Sequence, residues 1–127
     1  MLTWFKAVWA VIAGFFSFLF GGLDGLFLAF LCTAVIDYIT GVSAALYQGK
    51  LNSTVGFRGI LKKVVMLMVI ALAAVIGRVL GHAVVRDAVI GFYIANEGIS
   101  ILENAGKMQV PVCRELRRFL EQLREEE

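Results

Sequence analysis

Two segments of the chain place acids and amides inside long apolar runs. Asp37 interrupts one run, and Asn96 and Glu97 interrupt another. A helix in lipid strongly resists charged side chains, and ionisable residues at such positions are associated with proton, ion or substrate paths. The chemistry that these residues predict is therefore a polar path or surface inside a membrane, rather than a simple anchor.

Other kinds of chemistry find no support in the sequence, and we predict no enzyme activity, catalytic residue, metal or cofactor. There is no Gly-rich phosphate loop and no nucleophile beside a base. Cys32 and Cys113 show neither a disulfide framework nor metal-ligand spacing, and the single histidine, His82, is distant from both in sequence. The net charge of +2 does not predict a nucleic-acid partner.

The composition predicts an integral membrane protein. Of 127 residues, 60% are hydrophobic and only 17% are charged, which leaves too little polar surface for a soluble domain of this length. Lys6 precedes the first apolar stretch, as in a signal peptide. However, no small-residue cleavage pattern follows it, and further apolar segments do. We therefore interpret the first stretch as a membrane-spanning helix.

The apolar runs predict an all-α protein with about four transmembrane helices, since a bilayer core needs about 20 apolar residues per helix. The predicted spans are residues 2–23, 26–47, 64–81 and 88–104, within a transmembrane domain over 1–104. Because the fourth run is short and polar, three spans plus an amphipathic helix at the interface is the alternative. Residues 48–63 are expected to form a loop or a short interfacial helix. Residues 105–127 are expected to form a charged, amphipathic cytoplasmic tail.

The distribution of basic residues predicts the orientation. Lysines and arginines concentrate in 48–63 and in the tail, whereas the other two turns carry almost none. Because positive residues favour the cytoplasmic side, four spans with both termini in the cytoplasm satisfy this distribution.

Helical projection assigns the polar residues to faces. On the fourth helix they fall within an arc of about 120 degrees, which predicts a water-lining stripe. Asp37 lies on a small, polar ridge of the second helix. We expect no basic residue at its level, because Lys62 and Lys63 lie near one end of the third span and Arg78 near the other. The candidate pore-lining or intramembrane polar residues are Asp37, Tyr93, Asn96, Glu97, Ser100, Glu103 and Asn104.

Small residues recur at helical spacing and predict close helix packing, within one chain or between copies. The candidate packing residues are Ala10, Gly14, Gly21, Gly41, Ala73, Gly77, Gly81, Gly91, Ala95 and Gly98. A separate group, Arg78, His82, Arg86 and Asp87, is expected to form salt-bridged anchoring at the outer end, with Asp24 as a partner.

Three blocks of this sequence resemble a known family. They are Asp37-Tyr38-Ile39-Thr40-Gly41-Val42, the segment 49–63 with its glycines and Lys62-Lys63, and the segment 96–104. In order and spacing they are similar to the toxin-secretion/phage-lysis holin family of Gram-positive phages and clostridia. One departure is Cys113, where the family tends to have a second proline after Pro111-Val112.

The resemblance implies a protein of the bacterial cytoplasmic membrane that oligomerises and opens lesions at a set time, so that an endolysin or a toxin can leave the cytoplasm. Its implied partners are the lipid bilayer, further copies of itself, that endolysin or toxin, and an antiholin. Two alternatives share the sequence features: a small four-helix proton-coupled exporter, and an antiholin that regulates a partner holin.

Overall fold

The computed structural model describes residues 1–126, which are helical apart from short connections, and this confirms the all-α prediction. Glu127, the last residue of the predicted tail, lies outside the described residues. The helices are α1 (Leu2–Phe20), α2 (Gly25–Tyr47), α3 (Ser53–Leu80), α4 (Val84–Lys107) and α5 (Arg114–Glu126). Among these described helices, α1, α2 and α3 are long and apolar enough to cross a membrane.

Glycines and capping side chains define where the long helices begin and end. Gly21 and Gly81 adopt left-handed conformations, with φ of 76° and 74°, and terminate α1 and α3. A glycine accepts this conformation without the steric penalty of a Cβ atom. Asp24 caps α2, because its side chain accepts a hydrogen bond from the Phe27 N–H at 3.0 Å. These features produce short turns between consecutive helices.

The third helix begins eleven residues earlier than the hydropathy predicts. Residues 53–63, expected to be a loop or a separate interfacial helix, form the first part of α3. Asn52 caps this helix by accepting a hydrogen bond from the Val55 N–H at 2.8 Å. Lys62 and Lys63 therefore lie well inside a continuous helix rather than at its start.

The fourth helix is the centre of the fold, since it packs against α2, α3 and α5. Aromatic and aliphatic side chains form the apolar core at the end of the molecule where α1 meets α2. By contrast, α1 packs on α3 only towards its C-terminus, and most of its length is exposed. The buried core residues are Phe20, Phe27, Phe30, Ala34, Ile70 and Ile90.

The last helix folds back along α4. Leu120 of α5 lies directly over Gly98, where a Cβ atom built on the glycine would be 2.9 Å from the Leu120 Cδ1 atom. This spacing leaves no room for a larger residue at position 98 unless Leu120 moves. The absence of a side chain on α4 therefore permits the close approach of α5.

Replacing Gly98 by leucine should displace α5 from α4, because the new side chain requires the space that Leu120 occupies and overpacking costs about 1–3 kcal/mol. Trypsin should then cleave at the arginines of α5 several-fold faster in the detergent-solubilised protein. Gly106→Leu is the matched control, since a Cβ atom there meets nothing within 4 Å. Equal cleavage rates in the two variants would show that the Gly98 contact does not hold α5.

Candidate functional site

Three helices bring charged residues to one level of the molecule. Asp37 lies ten residues before the end of α2, Lys63 ten residues after the start of α3, and Glu97 ten residues before the end of α4. At a rise of 1.5 Å per residue, each is about 15 Å from the same end of the bundle. We call this end, where α2 and α4 finish and α3 starts, the basic end because it carries Lys50 and Lys107.

Lys63 joins the two acids. Its Nζ atom lies 2.7 Å from the Asp37 Oδ2 atom and 2.7 Å from the Glu97 Oε2 atom. The side chains of Asp37, Lys63 and Glu97 are only 12%, 18% and 5% exposed. An ammonium group has three N–H donors, so it can donate to both carboxylates at once. We call Asp37, Lys63, Glu97 and Asn104 the charge cluster.

Asn104 completes the cluster from α4. Its Nδ2 atom donates to the Asp37 Oδ1 atom at 3.1 Å and to the Thr40 Oγ1 atom at 3.0 Å. Both carboxylate oxygens of Asp37 therefore accept a hydrogen bond from another helix. Among the described residues, no fully buried side-chain nitrogen or oxygen lacks a hydrogen-bond partner. Burial of polar groups is tolerated when they are satisfied in this way.

The cluster has an excess of negative charge when both acids are ionised, because one ammonium faces two carboxylates. A charge away from water is costly unless it is paired and hydrogen-bonded. The packing of α2, α3 and α4 thus depends on Lys63. We call the arrangement in which these three helices are packed together the closed arrangement. The second acid, which has no cation of its own in the cluster, makes it less favourable than a one-to-one ion pair would. The cluster can hold polar groups inside an apolar bundle and expose them when the helices separate.

The predicted polar stripe on α4 divides between two environments. Glu97 and Asn104 are buried in the charge cluster, and Ser100 is half-buried beside it. Tyr93 packs near Phe30 of α2, with ring centroids 6.1 Å apart. Asn96 and Glu103 are exposed.

Lys63 is the member of the charge cluster that sequence reasoning missed, and the expectation that Asp37 has no basic residue at its level was wrong. Hydropathy places the start of the third span after Lys63, which puts that lysine at the membrane interface. The signal that locates it is Asn52, which caps α3 so that the helix starts at Ser53, eleven residues before the predicted span. Counting from that cap brings Lys63 level with Asp37.

The predicted small residues also lie in different environments. A Cβ atom built on Gly77 would lie only 2.7 Å from the His82 carbonyl oxygen, whereas one built on Gly41 would make ordinary van der Waals contact, at 3.5 Å, with the Asn104 Nδ2 atom. Gly21 lies against Ala74 and Arg86. Ala73 and Ala95 are buried and Gly91 is half-buried, whereas Ala10, Gly14 and Gly81 are exposed.

A second ionic group joins the helices at the opposite end. The buried Arg86 guanidinium donates to both Asp24 carboxylate oxygens, at 2.8 and 3.0 Å, and to the carbonyl oxygens of Phe20 and Gly22. It also pairs with Asp87 at 3.0 Å. This guanidinium, together with the Phe27 N–H, lowers the pKa of Asp24 to about 2. The arrangement fastens the α1–α2 turn to the start of α4.

The residues that the sequence predicted to form one salt-bridged group at the outer end make different contacts. Arg86, Asp87 and Asp24 form the expected salt bridges. Arg78 instead lies over the Phe18 ring, 4.3 Å from its centroid, and donates to the Phe18 carbonyl oxygen. A cation over an aromatic face is attracted by the negative potential of the ring. Arg78 therefore links α3 to the end of α1.

These features define a class: a small helical membrane protein whose apolar helices enclose a charged cluster. Residues 14–125 match the bacteriophage holin family. The chain therefore belongs to the bacteriophage holin family, a non-enzymatic family of membrane proteins, and this confirms the resemblance.

Proteins from bacteria and from a phage are similar to this chain in sequence. A protein of Listeria monocytogenes is 46% identical over 106 residues, which cover 83% of this chain and 76% of the relative. A protein of Halalkalibacterium halodurans is 41% identical over 124 residues, 93% of this chain and 92% of the relative. A Bacillus phage phi105 protein named probable holin is 35% identical over 97 residues, 76% of this chain and 71% of that protein. No solved structure matches.

Replacing Lys63 by glutamine should strongly destabilise the protein, because it leaves two buried carboxylates without their cation. Removing one partner of a buried ion pair costs about 3–5 kcal/mol, and we expect the thermal midpoint in mild detergent to fall by roughly 10 °C. Lys62→Gln is the matched control, since the neighbouring lysine is exposed and has no ion pair among the described residues.

Adding Asp37→Asn and Glu97→Gln to the Lys63→Gln variant should recover much of the lost stability, because no unpaired charge then remains. This triple variant also tests the interpretation if the single variant does not accumulate. A similar loss in the Lys62 and Lys63 single variants would contradict a specific role for Lys63.

The Asp24–Arg86 pair should make stability depend on pH in the acid range. Because the pKa of Asp24 is lower in the folded protein, its contribution is complete above the unfolded value of 3.8 and is lost as pH falls towards about 2. Since the Asp24 side chain is 52% exposed, solvent screening limits this contribution to about 1 kcal/mol.

Asp24→Asn isolates this effect, because asparagine also caps helices and retains the hydrogen bond from Phe27 while removing the charge. The difference in thermal midpoint between wild type and variant should be largest near neutral pH and should shrink as the pH falls through about 2, the pKa of Asp24 in the folded protein. A difference that stays constant over this range would show that the ion pair does not stabilise the fold.

Proposed function

We propose that this protein is a holin that oligomerises in the cytoplasmic membrane and forms lesions, through which an endolysin or a toxin leaves the cytoplasm. The observation that carries the proposal is the charge cluster, which places two acids and a lysine about 15 Å inside an otherwise apolar bundle. Membership of the bacteriophage holin family, and similarity to the phage protein named probable holin, support it.

The charge cluster accounts for a resting state that is harmless to the membrane. A single chain satisfies Asp37, Glu97 and Asn104 internally, so no polar path through the bilayer is needed before the lesion opens. Opening separates α4 from α2 and α3 and transfers these groups to water. Hydration then replaces the internal hydrogen bonds, and the same side chains become part of the lesion wall.

Oligomer formation uses surfaces that one chain leaves uncovered. The N-terminal two-thirds of α1 are exposed, and a Cβ atom built on Gly14 meets nothing within 4 Å. Small residues at Ala10 and Gly14 allow another helix to approach closely, which is how helices associate in lipid. We infer that copies meet along this surface of α1.

The proposed topology has four spans and both termini in the cytoplasm. The fourth helix has 24 residues, which gives about 36 Å at 1.5 Å per residue and is enough to cross a bilayer. Its central position between α2 and α3 supports a crossing rather than an interfacial position. With α4 crossing, the basic end faces the cytoplasm, as the positive-inside rule favours.

A lysis assay tests the function. The gene is induced in bacteria together with a cytosolic endolysin, and culture turbidity is followed. Abrupt lysis that requires the endolysin, and that membrane depolarisation brings forward, is expected of a holin. Drug resistance without lysis would indicate an exporter, and a delay imposed on a second holin would indicate an antiholin. Either of these results would replace the proposal.

Glu97→Gln should delay lysis in the same assay. This change removes the second carboxylate and leaves Lys63 and Asp37 as a one-to-one pair, so the closed bundle becomes more favourable by up to about 2.5 kcal/mol. Asp37→Asn should also shift the lysis time, because it changes the same charge balance and weakens the contact with Asn104.

Glu103→Gln is the matched control. It removes the same charge from the same helix, but Glu103 is exposed and has no salt bridge among the described residues. Membrane levels of each variant are measured by immunoblot, so that a delay is not confused with poor accumulation. If the variants at positions 37 and 97 lysed on the wild-type schedule, the cluster would have no role in timing.

A further inference from the structure

A cleft with excess positive charge lies at the basic end, between α2, α3 and α4. It has a volume of about 320 Å³ and extends from the turn after α2 to the charge cluster. Four lysines come to it from three places: Lys50 in the turn, Lys62 and Lys63 on α3, and Lys107 at the end of α4. Residues distant in sequence thus concentrate their ammonium groups around one opening.

Most of this positive charge has no counterpart among the residues that the structure describes. Lys50, Lys62 and Lys107 form no salt bridge in that part of the chain. Among the described residues, Asp37 is the one acid that lines the cleft, and its two carboxylate oxygens already accept hydrogen bonds from Lys63 and Asn104. The rim therefore attracts an anion, while the carboxylate at the floor is already paired.

The walls of the cleft indicate what kind of anion fits. Val42, Ala44, Ala45 and Val55 provide apolar surface beside the lysines. The volume is many times the roughly 10–15 Å³ that one water needs, and is enough for a phosphate and a glycerol. The cleft opens at the level of the helix ends, where the headgroups of a bilayer begin. Basic pockets between membrane helices suit phosphorylated lipid headgroups.

We propose that this cleft binds the headgroup of an anionic glycerophospholipid from the adjacent leaflet. The phosphate lies among Lys50, Lys62 and Lys107, and the acyl chains leave along the apolar wall. Such a lipid holds the ends of α2, α3 and α4 together just below the charge cluster. It therefore stabilises the closed arrangement that the proposed function requires, although its binding depends only on membrane insertion and not on lysis.

The full-length protein, purified in mild detergent, is mixed with phosphatidylglycerol or phosphatidylcholine, and the retained lipid is counted by native mass spectrometry. Each lysine near an anionic surface contributes about fivefold, so a preference for phosphatidylglycerol of roughly tenfold or more is expected. The triple variant Lys50→Gln, Lys62→Gln, Lys107→Gln should lose this preference. A matched triple variant, Lys6→Gln, Arg58→Gln, Arg118→Gln, removes the same charge outside the cleft and should keep it.

Thermal stability provides the second measurement. Phosphatidylglycerol should raise the midpoint of thermal unfolding of the wild type and of the control triple variant, but not that of the triple variant that lacks Lys50, Lys62 and Lys107. Equal loss of preference in both triple variants would show general charge attraction and would overturn the proposal. Equal protection by soluble glycerol phosphate would assign the cleft to a free anion instead. Since neither measurement involves lysis, a failed lysis assay and a failed lipid assay are distinguishable.

Discussion

The double hydrogen bond of Lys63 is the interaction on which the rest of the bundle depends. One ammonium group satisfies a carboxylate on α2 and another on α4, each at 2.7 Å. Apolar packing alone does not associate helices strongly in lipid, because lipid tails are as apolar as the side chains they replace. The buried ionic contacts therefore supply the specificity that fixes which helices meet and at what height.

The two ends of the bundle use different chemistry for the same purpose. At one end a lysine contacts two side-chain carboxylates deep in the molecule, whereas at the other Arg86 contacts Asp24 and two backbone carbonyl oxygens near the surface. The planar guanidinium suits this fixed set of acceptors, while the flexible lysine stem suits two carboxylates on separate helices. The Arg86 contacts restrain the α1–α2 turn, whereas the Lys63 contacts restrain helices that the proposed lesion must separate.

Under the proposed function, this arrangement explains how one small chain is inert while the bundle is closed and still able to open. Polar groups that would perforate a membrane are satisfied inside a single copy, so the cost of burying them is low in the closed bundle. The unmatched acid makes closure less favourable, and the lipid proposed for the lysine-rich cleft makes it more favourable. Charge balance and membrane lipids together would then determine when the bundle opens.

The helical class, three apolar spans and the unusual positions of Asp37 and Glu97 could all be predicted from the sequence. These properties depend on local composition and periodicity, which a single chain displays directly, whereas the family was predicted from the resemblance of three sequence blocks. Helix boundaries were harder to predict. Hydropathy started the third span at 64, because Lys62 and Lys63 come just before the apolar run, whereas the Asn52 cap starts α3 at Ser53. That shift alone concealed the partner of Asp37.

Which residues meet depends on how the helices pack against one another. Helical projection placed Glu97, Asn104, Asn96 and Glu103 on one polar stripe, but it could not divide buried members from exposed ones. The division depends on how α4 is rotated against α2 and α3, and that rotation is set by contacts between residues more than 25 positions apart, such as Lys63 with Asp37. The contact of Leu120 with Gly98 is equally non-local. Periodicity assigns a residue to a face, whereas the pairing of faces is a property of the packed bundle.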